Sequence, residues 1–317
     1  MSIGILYMLG VVALWSFVPT LVKLLLLVFD PMTITFLRTA QGLAVTLALL
    51  YVGGGRLRAI TWSRWHLFGG LGMSLNYSLY AVSLSYTTAS AGVLIVQVQY
   101  VTLAALAALV LHERLGWGKI ASMGVVLAGI AVVVGFRTEV GHLFAPRYML
   151  GNVLMLGSGI GWGVYALSNK ALAPRASTAA ILVPMMAVCA VVTGAVAAVQ
   201  FQLPAAPTAD ALVAVLVVGA MGTGLSFILV SEGIKRLSAA LAGTITAATP
   251  IAQIAMAHHV LDEPPSWSVI GGGIIILGGI LAMVLTEQAQ VRRARILRQH
   301  FLARARPIRL FAQPLLN

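Results

Sequence analysis

Charged side chains are scarce in this sequence: Asp, Glu, Lys and Arg make up 9% of the 317 residues, and only eight residues are acidic. All eight lie at or near the ends of apolar runs or between them, so no run contains the Asp, Glu and His cluster that a hydrolase or metal-dependent enzyme requires. The single cysteine, Cys189, excludes disulfides and cysteine-bound metal clusters. These absences predict no catalytic residue, no metal site and no cofactor.

Apolar residues make up 60% of the chain, and the mean hydropathy of +0.98 is too high for a water-soluble domain of this length. The sequence contains ten apolar runs of roughly the 20 residues that cross a bilayer as a helix. Backbone amides in lipid must be satisfied within the segment, and the runs lack the alternation of a β-barrel. The sequence thus predicts an all-α membrane protein with ten transmembrane helices. They run approximately over Ile3–Phe29, Met32–Val52, His66–Tyr86, Ala89–Leu111, Trp117–Phe136, Tyr148–Ser168, Ala179–Val199, Ala211–Ser231, Ala239–Val260 and Trp267–Leu285.

Basic residues set the expected orientation. The net charge is +12, and seven of the twenty basic residues lie in the tail between Arg292 and Arg309. Loop charges favour cytoplasmic N- and C-termini in a multi-pass protein of the inner (plasma) membrane. Because the tail arginines are interleaved with apolar residues, we expect the tail to lie on anionic lipids rather than to bind nucleic acid. A solvated tail that only sets the topology is the alternative.

The sequence repeats itself at about half its length. Trp15 and Lys23 are eight positions apart, as are Trp162 and Lys170, and "HERLGWGKIASMGVVLAGI" is answered 150 residues later by "DEPPSWSVIGGGIIILGGI". Because each half has five helices, an odd number, the second half must enter the membrane in the opposite sense. The sequence therefore predicts two inverted five-helix repeats. We divide the chain into a first repeat (1–136), an external linker (137–147), a second, inverted repeat (148–287) and a basic cytoplasmic tail (288–317).

In this order the motifs resemble the drug/metabolite transporter superfamily, in particular the EamA-type exporters. The shared features are an aromatic residue, a proline and a lysine in the first helix, an Asp-Pro turn followed by an arginine, small residues that open the fourth and ninth helices, and a glutamate after each of these helices. The residues are Trp15, Pro19, Lys23, Asp30, Pro31, Arg38, Ala89–Gly92, Ala239–Gly243, Glu113 and Glu263. The resemblance covers almost the whole chain up to about Leu285.

The resemblance implies a ten-helix bundle with a central cavity, lined chiefly by helices 1, 3, 4, 6, 8 and 9, that moves small metabolites such as amino acids. Pro19 and Pro250 are the candidate hinge residues. The family usually has a proline in the middle of helix 4 as well, where this sequence has Tyr100. This departure argues against gating by a bend in helix 4.

Two cations flank the turn at Asp30. Lys23 lies seven residues before it and Arg38 eight residues after it, so at about 1.5 Å rise per residue both lie roughly 10 to 12 Å below the outer end of the helix pair. The sequence places no carboxylate near either, and we interpret both as anchors for the carboxylate of a solute. The alternative is that their long side chains reach the headgroups.

Polar and amphipathic side chains at helical spacing form one face on several helices. The candidates are Trp15, Asn76, Tyr80, Gln97, Tyr100, Trp162, Tyr165 and Gln253. Hydrogen bonds between helices would explain any one of them, but so many bulky groups are difficult to pair in a dry seam. We predict that they line a substrate-binding cavity together with Lys23 and Arg38.

The sequence thus predicts an alternating-access transporter, and the resemblance implies an exporter of small organic metabolites such as amino acids or related carboxylate-bearing solutes. We expect a monomer or a homodimer. The missing interior carboxylate favours uniport or exchange over proton antiport. A passive channel or facilitator is the alternative, and an intramembrane enzyme is a more distant one.

Overall fold

The structure is a computed structural model of the chain and describes residues 3–113, 115–135, 146–200, 207–237 and 239–310. Within these ranges it is all-helical and has no strand. A 3-10 turn, Leu57–Ala59, lies between α2 and α3, and a π-helical segment, Val217–Leu225, joins α9 to α10. The α-helices are α1 (Ile3–Leu25), α2 (Pro31–Val52), α3 (Arg64–Leu84), α4 (Ala89–Ile95), α5 (Val98–Leu111), α6 (Trp117–Gly135), α7 (Pro146–Leu172), α8 (Thr178–Gln200), α9 (Ala209–Leu216), α10 (Ser226–Arg236), α11 (Ala239–Thr246), α12 (Thr249–Leu261) and α13 (Trp267–Leu310).

Eight helical stretches of the described residues are long and apolar enough to cross a membrane, which confirms the all-α membrane class. They are Ile3–Leu25, Pro31–Val52, Ala89–Leu111, Trp117–Val134, Tyr148–Leu172, Thr178–Gln200, Ala209–Gly233 and Trp267–Ala289. The other two predicted runs are also helical and correspond to α3 and to α11 with α12. Most of the predicted linker, 137–147, lies outside the described residues.

The last helix, α13, is longer than its apolar run. It continues without interruption from Trp267 to Leu310, over 44 residues, so the predicted division after residue 287 is a change of composition within one helix. The end of the tail, 311–317, lies outside the described residues.

Helices of the first part of the chain, α1 to α6, pack against helices of the second part, α7 to α13. α1 packs against α10 and α12, α2 against α8 and the π-helical segment, α3 against α7 and α8, α5 against α7, and α6 along α13. Two of these contacts require glycine: a Cβ on Gly129 would lie 2.7 Å from Ile276, and a Cβ on Gly161 would lie 2.7 Å from the backbone nitrogen of Asn76. The second close approach brings α3 and α7 together beside Asn76.

The turn before α2 is fixed by its own side chain. Asp30 caps the helix, because its Oδ1 accepts hydrogen bonds from the N–H groups of Met32 (3.0 Å) and Thr33 (2.9 Å). Pro31 occupies the first turn, where its missing N–H costs nothing. Asp30 is therefore a structural residue of this turn.

Two membrane helices are interrupted near their middle, between α4 and α5 and between α11 and α12. Pro250 explains the second interruption, since it has no N–H to continue the hydrogen-bond ladder of α11. The first has no proline: the N–H of Gln97 bonds to Leu94 O (3.2 Å), and its side-chain Nε2 donates to Val93 O (2.9 Å). The fourth predicted helix is thus interrupted although it has Tyr100 where the family usually has a proline. The side chain of Gln97 bonds to the carbonyl of Val93, which the interruption leaves without a backbone partner.

Candidate functional site

A cavity of about 120 Å³ lies between the helices at the level of the two interruptions. A cavity of roughly 150 Å³ holds a benzene molecule, so this space suits a small organic solute. Its lining comes from both parts of the chain. The described residues that line it are Trp15, Val18, Arg38, Asn76, Tyr77, Tyr80, Val93, Val96, Gln97, Gln99, Tyr100, Trp162, Gly222, Phe227, Thr246, Thr249, Pro250 and Gln253.

Most of the residues singled out from the sequence meet in this cavity. The eight that line it are Trp15, Arg38, Asn76, Tyr80, Gln97, Tyr100, Trp162 and Gln253, and the candidate hinge Pro250 lines it as well. Tyr165 packs behind the wall, with its ring centroid 5.1 Å from that of Trp162 and 5.5 Å from that of Phe227. Lys23 and Pro19 are not part of the lining.

An aromatic wall bounds one side of the cavity. The ring centroid of Trp162 lies 6.1 Å from that of Trp15 and 5.6 Å from that of Phe227, in edge-on and tilted arrangements. The indole N–H of Trp15 donates to Ser226 Oγ (2.9 Å) and Gly222 O (3.2 Å), which fixes the orientation of its ring. The wall is thus a rigid apolar surface.

Arg38 is the one formally charged residue among the described residues of the lining. It is only 5% exposed; its Nε donates to Thr223 Oγ1 (3.2 Å), and its guanidinium lies 4.3 Å from the centre of the Tyr77 ring. Thr223 in turn donates to Val218 O, five residues back, as in a π-helix. No carboxylate in the described part of the chain pairs with Arg38. A buried cation without a counter-ion is costly, so this site favours an anionic ligand.

Lys23, by contrast, is neutralised. Its ammonium forms an ion pair with Glu263 and donates to Thr87 O (3.2 Å). The other carboxylate oxygen of Glu263 accepts from the N–H of Ala89, the first residue of α4 (3.0 Å). The partner lies 240 positions along the chain, so the interpretation that Lys23 has no carboxylate nearby is wrong. Of the two expected free cations, only Arg38 remains.

A second ion pair has the same composition. Lys170, near the end of α7, lies 2.8 Å from Glu113, which follows α5. In both pairs the lysine ends one helix, and the glutamate follows the helix that packs against it, α12 on α1 and α5 on α7. The side chains of the Lys23–Glu263 pair are 26% and 18% exposed, and those of the Lys170–Glu113 pair are 40% and 37% exposed.

The two glutamates are placed by the same helix end. His112 ends α5 with φ of 54°, and Asp262 ends α12 with φ of 53°, in the left-handed region. The N–H of Glu113 then bonds to Ala107 O (3.2 Å), which closes the last turn. Each carbonyl end is thus capped by backbone, and the next side chain projects toward its lysine.

The side chain of Gln253 satisfies a carbonyl that a proline leaves free. In α1 the carbonyl of Trp15 would normally accept the N–H of residue 19, but Pro19 has none. Gln253 Nε2 donates to Trp15 O instead (3.0 Å). Pro19 therefore acts on the cavity indirectly, by setting the orientation of Gln253.

Three other carboxamides are held in a similar way. Asn76 Nδ2 donates to Ser158 O (3.0 Å) and Ser158 Oγ (2.9 Å). Gln99 Nε2 donates to Gln97 Oε1 (3.1 Å), and Gln97 is itself anchored on Val93 O. The NH₂ groups are thus committed to the protein.

Several lining residues could not be found from helical spacing. Phe227 follows the π-helical segment, whose wider turns rotate the residues after it away from a 3.6-residue period. Tyr77 is adjacent to Asn76 and so lies off the predicted face of α3, but it reaches the cavity beneath Arg38. The glycines between Gly219 and Gly224 were the available signal, since small residues mark close packing between membrane helices.

The EamA-like transporter family matches the chain over residues 2–135 and 149–285. A solved crystal structure has the same fold, with a TM-score of 0.66 and 22% sequence identity, and the match covers 92% of this chain and 99% of that one.

Curated relatives include the aromatic amino acid exporter YddG of Ancylobacter novellus, 26% identical over 55% of this chain and 59% of its own length. The inner membrane transporter YhbE of Escherichia coli is 26% identical over 60% of this chain and 61% of its own length. A probable terminal-alkyne amino-acid exporter of Streptantibioticus cattleyicolor is 26% identical over 77% and 80%. The chain thus spans about three fifths of the length of the first two relatives.

Proposed function

Because the chain belongs to the EamA-like transporter family, we propose that it moves small organic metabolites that carry a carboxylate, such as amino acids, outward across the membrane by alternating access. The family confirms the resemblance that Trp15, Pro19 and Lys23 indicated, and with eight apolar helices it makes the chain a multi-pass membrane transporter. The solute, the direction and the mechanism are the proposal. Two relatives named as amino-acid exporters support the solute class and the direction.

Arg38 is the observation that carries the solute class. It supplies the one formal charge among the described lining residues, it has no protein counter-ion in the described part of the chain, and it lines a cavity of about 120 Å³ beside an aromatic wall. A carboxylate would pair with its guanidinium through charge-assisted hydrogen bonds. An apolar side chain of the solute would pack on Trp15, Trp162 and Phe227.

We further propose that 1–136 and 148–287 are inverted repeats joined by an external linker, 137–147. The family matches two segments of nearly equal length, which supports the duplication. Helix contacts occur in corresponding sets: α3 with α7 matches α1 with α10, and α5 with α7 matches α1 with α12. The two helix interruptions also correspond. The repeat offset of 150 residues carries position 97, between α4 and α5, to position 247, between α11 and α12. Discontinuous helices around a central site are typical of carriers built from inverted repeats.

The two ion pairs fit the closures of such a carrier. Five spans separate Lys23 from Lys170 in the proposed topology, so the Lys23–Glu263 pair lies on the outer side and the Lys170–Glu113 pair on the inner side. Each pair joins one repeat to the other. Opening one side requires that its own pair separates while the other holds, and this gives the cavity access to one face at a time.

We propose the inner membrane as the location, with both termini in the cytoplasm and the basic tail beside anionic lipids. The relative named as an inner membrane transporter and the bias of loop charges support this arrangement. Association as a monomer or homodimer stays a prediction.

Counterflow in proteoliposomes tests the proposal. Vesicles loaded with unlabelled L-phenylalanine or L-leucine should accumulate the radiolabelled amino acid transiently, because a carrier exchanges solute across the membrane. A passive channel would only equilibrate the label, without acceleration by the internal pool. Protein-free vesicles and vesicles with the Arg38→Met variant are the controls. Equal uptake by all three preparations would remove the proposed function.

A further inference from the structure

We propose that the carbonyl oxygens of Asn76, Gln99 and Gln253 form an ammonium subsite, so that the cavity takes its solute as a zwitterion with the carboxylate at Arg38. The inference rests on the proposed function and narrows its solute class. It makes these three carboxamides specificity-determining residues that recognise the amino group.

The orientation of each carboxamide follows from its partner. A backbone carbonyl accepts hydrogen bonds only, so Gln253 must present its NH₂ group to Trp15 O, and Asn76 its NH₂ group to Ser158 O. Gln97 is oriented in the same way by Val93 O; its oxygen therefore accepts from Gln99. Each of these amides can bond in one orientation only.

The opposite ends of Asn76, Gln99 and Gln253 are their carbonyl oxygens, which accept no hydrogen bond from a described residue. These three oxygens are also absent from the fully buried unpaired atoms, so they remain accessible. All three residues line the cavity, and Asn76 is only 5% exposed. The lining thus presents three carbonyl oxygens that accept no hydrogen bond from a described residue.

Charge and hydrogen-bonding capacity together select the solute. One buried guanidinium requires one carboxylate, whereas an amine without a carboxylate would meet Arg38 as a like charge. A second carboxylate would find carbonyl oxygens in place of a cation. A monocarboxylate without an amino group would satisfy Arg38 but would cover the three oxygens without giving them a donor. An ammonium group carries three N–H donors and satisfies them.

Four ligands that share a benzyl group test the inference on the purified full chain by isothermal titration calorimetry. They are L-phenylalanine, 3-phenylpropanoate, benzylmalonate and 2-phenylethylamine, which change only the amino or the carboxyl group. L-Phenylalanine should bind roughly tenfold or more tightly than 3-phenylpropanoate, since a hydrogen bond to a charged group is at stake. Benzylmalonate and 2-phenylethylamine should bind more weakly still. L-Leucine and 4-methylpentanoate repeat the comparison with an aliphatic side chain.

The Gln253→Leu variant separates recognition from folding. It should lower the ratio of the two affinities, L-phenylalanine over 3-phenylpropanoate, because it removes one of the three acceptors for the ammonium; a general folding defect would weaken both ligands alike. Gln41→Leu is the matched control, since Gln41 is outside the described lining, and its ratio should stay at the parent value.

Two outcomes overturn the inference in different ways. Equal binding of the amino acids and their deaminated analogues would remove the ammonium subsite and leave the proposed carboxylate carrier intact. No binding of any carboxylate in either series would remove both the subsite and the proposed solute class.

Discussion

Arg38 has no counterpart in the second half of the chain. Trp15 and Lys23 recur 147 positions later as Trp162 and Lys170, but the same step from Arg38 leads to Met185. Corresponding positions of the two proposed repeats therefore supply the lysines of both ion pairs and the tryptophans of the aromatic wall, whereas the charge proposed to select the solute comes from one repeat only. This asymmetry at a single residue gives the cavity one end that attracts anions.

Replacing Arg38 by methionine should weaken solute binding without harming the fold. Arg38→Met removes the charge-assisted bonds to a carboxylate, so the affinity for L-phenylalanine should fall roughly ten- to a hundredfold. The melting temperature of the solute-free protein should stay unchanged or rise, because a buried cation without a counter-ion destabilises the fold. Arg64→Met, at an exposed position, is the control for loss of charge. Parent-like affinity in Arg38→Met would contradict the assignment.

Cavity-lining residues could be predicted from the sequence where the local helical period holds. Contacts that depend on a segment far along the chain could not. Asn76, Tyr80 and Trp162 lie on faces that the 3.6-residue period indicates, and all three line the cavity. Glu263 pairs with Lys23 through tertiary packing that no local pattern reveals. Spacing alone therefore identified residues of the cavity wall and missed the Lys23–Glu263 ion pair.

At the scale of the element, the chain interrupts its helices in two different ways. In α11 and α12 a proline prevents the bond, whereas between α4 and α5 a glutamine side chain replaces it. The sequence indicates the interruption between α11 and α12, because Pro250 lies there. The other interruption cannot be read from composition, because Gln97 could equally well point into a cavity or bond to another helix.

The proline of α1 should affect specificity through Gln253. Pro19→Ala supplies an N–H that bonds to Trp15 O and competes there with the Gln253 NH₂ group. The helix should become more stable, and the preference for L-phenylalanine over 3-phenylpropanoate should fall, because the freed amide can turn. Calorimetric binding of both ligands measures the ratio. Pro184→Ala, inside α8 and outside the described lining, is the control; an equal loss of preference in both variants would refute the coupling.

The contact between α6 and α13 should not tolerate a methyl group at Gly129, where the two helices approach closely. A Cβ on Gly129 would lie 2.7 Å from Ile276 and 3.0 Å from Gly272 O, whereas a Cβ on Gly124, in the same helix, would have nothing within 4 Å. Gly129→Ala should therefore be less stable than Gly124→Ala by about 1 to 3 kcal/mol. Both substitutions share the intrinsic gain from replacing a helical glycine, so the difference in melting temperature isolates the packing. Equal melting temperatures would show that α6 and α13 can separate.

For the whole molecule, the two ion pairs predict opposite responses to the same chemical change. Glu263→Gln should favour the outward-open state and Glu113→Gln the inward-open state, each by about 1 kcal/mol, or roughly fivefold in population, since partly exposed pairs contribute no more. The measurement is labelling of Thr249→Cys, in the cavity lining, by a membrane-impermeant thiol reagent added outside. The background is Cys189→Ser, which removes the buried native thiol.

Labelling should increase in Glu263→Gln and decrease in Glu113→Gln. Glu232→Gln is the matched control, because Glu232 pairs with Arg236 one turn away in the same helix. The double reversal Lys23→Glu with Glu263→Lys should bring labelling part of the way back to the parent value, because it restores the ion pair but not the bonds to Ala89 N–H and Thr87 O. A change in the same direction in both single variants would show that the pairs do not close opposite sides.

The uninterrupted helix α13 is longer than the membrane is thick, so one end of it extends outside the membrane. Its 44 residues extend about 66 Å at 1.5 Å per residue, and only about 30 Å of that length fits in the hydrocarbon of a bilayer. More than half of the rod therefore projects beyond the hydrocarbon. A tilt of about 10° at the seam would sweep its tip by roughly 6 Å over a 35 Å arm, so a fluorophore at the C-terminus would magnify each transport cycle into a displacement that single-molecule microscopy can follow.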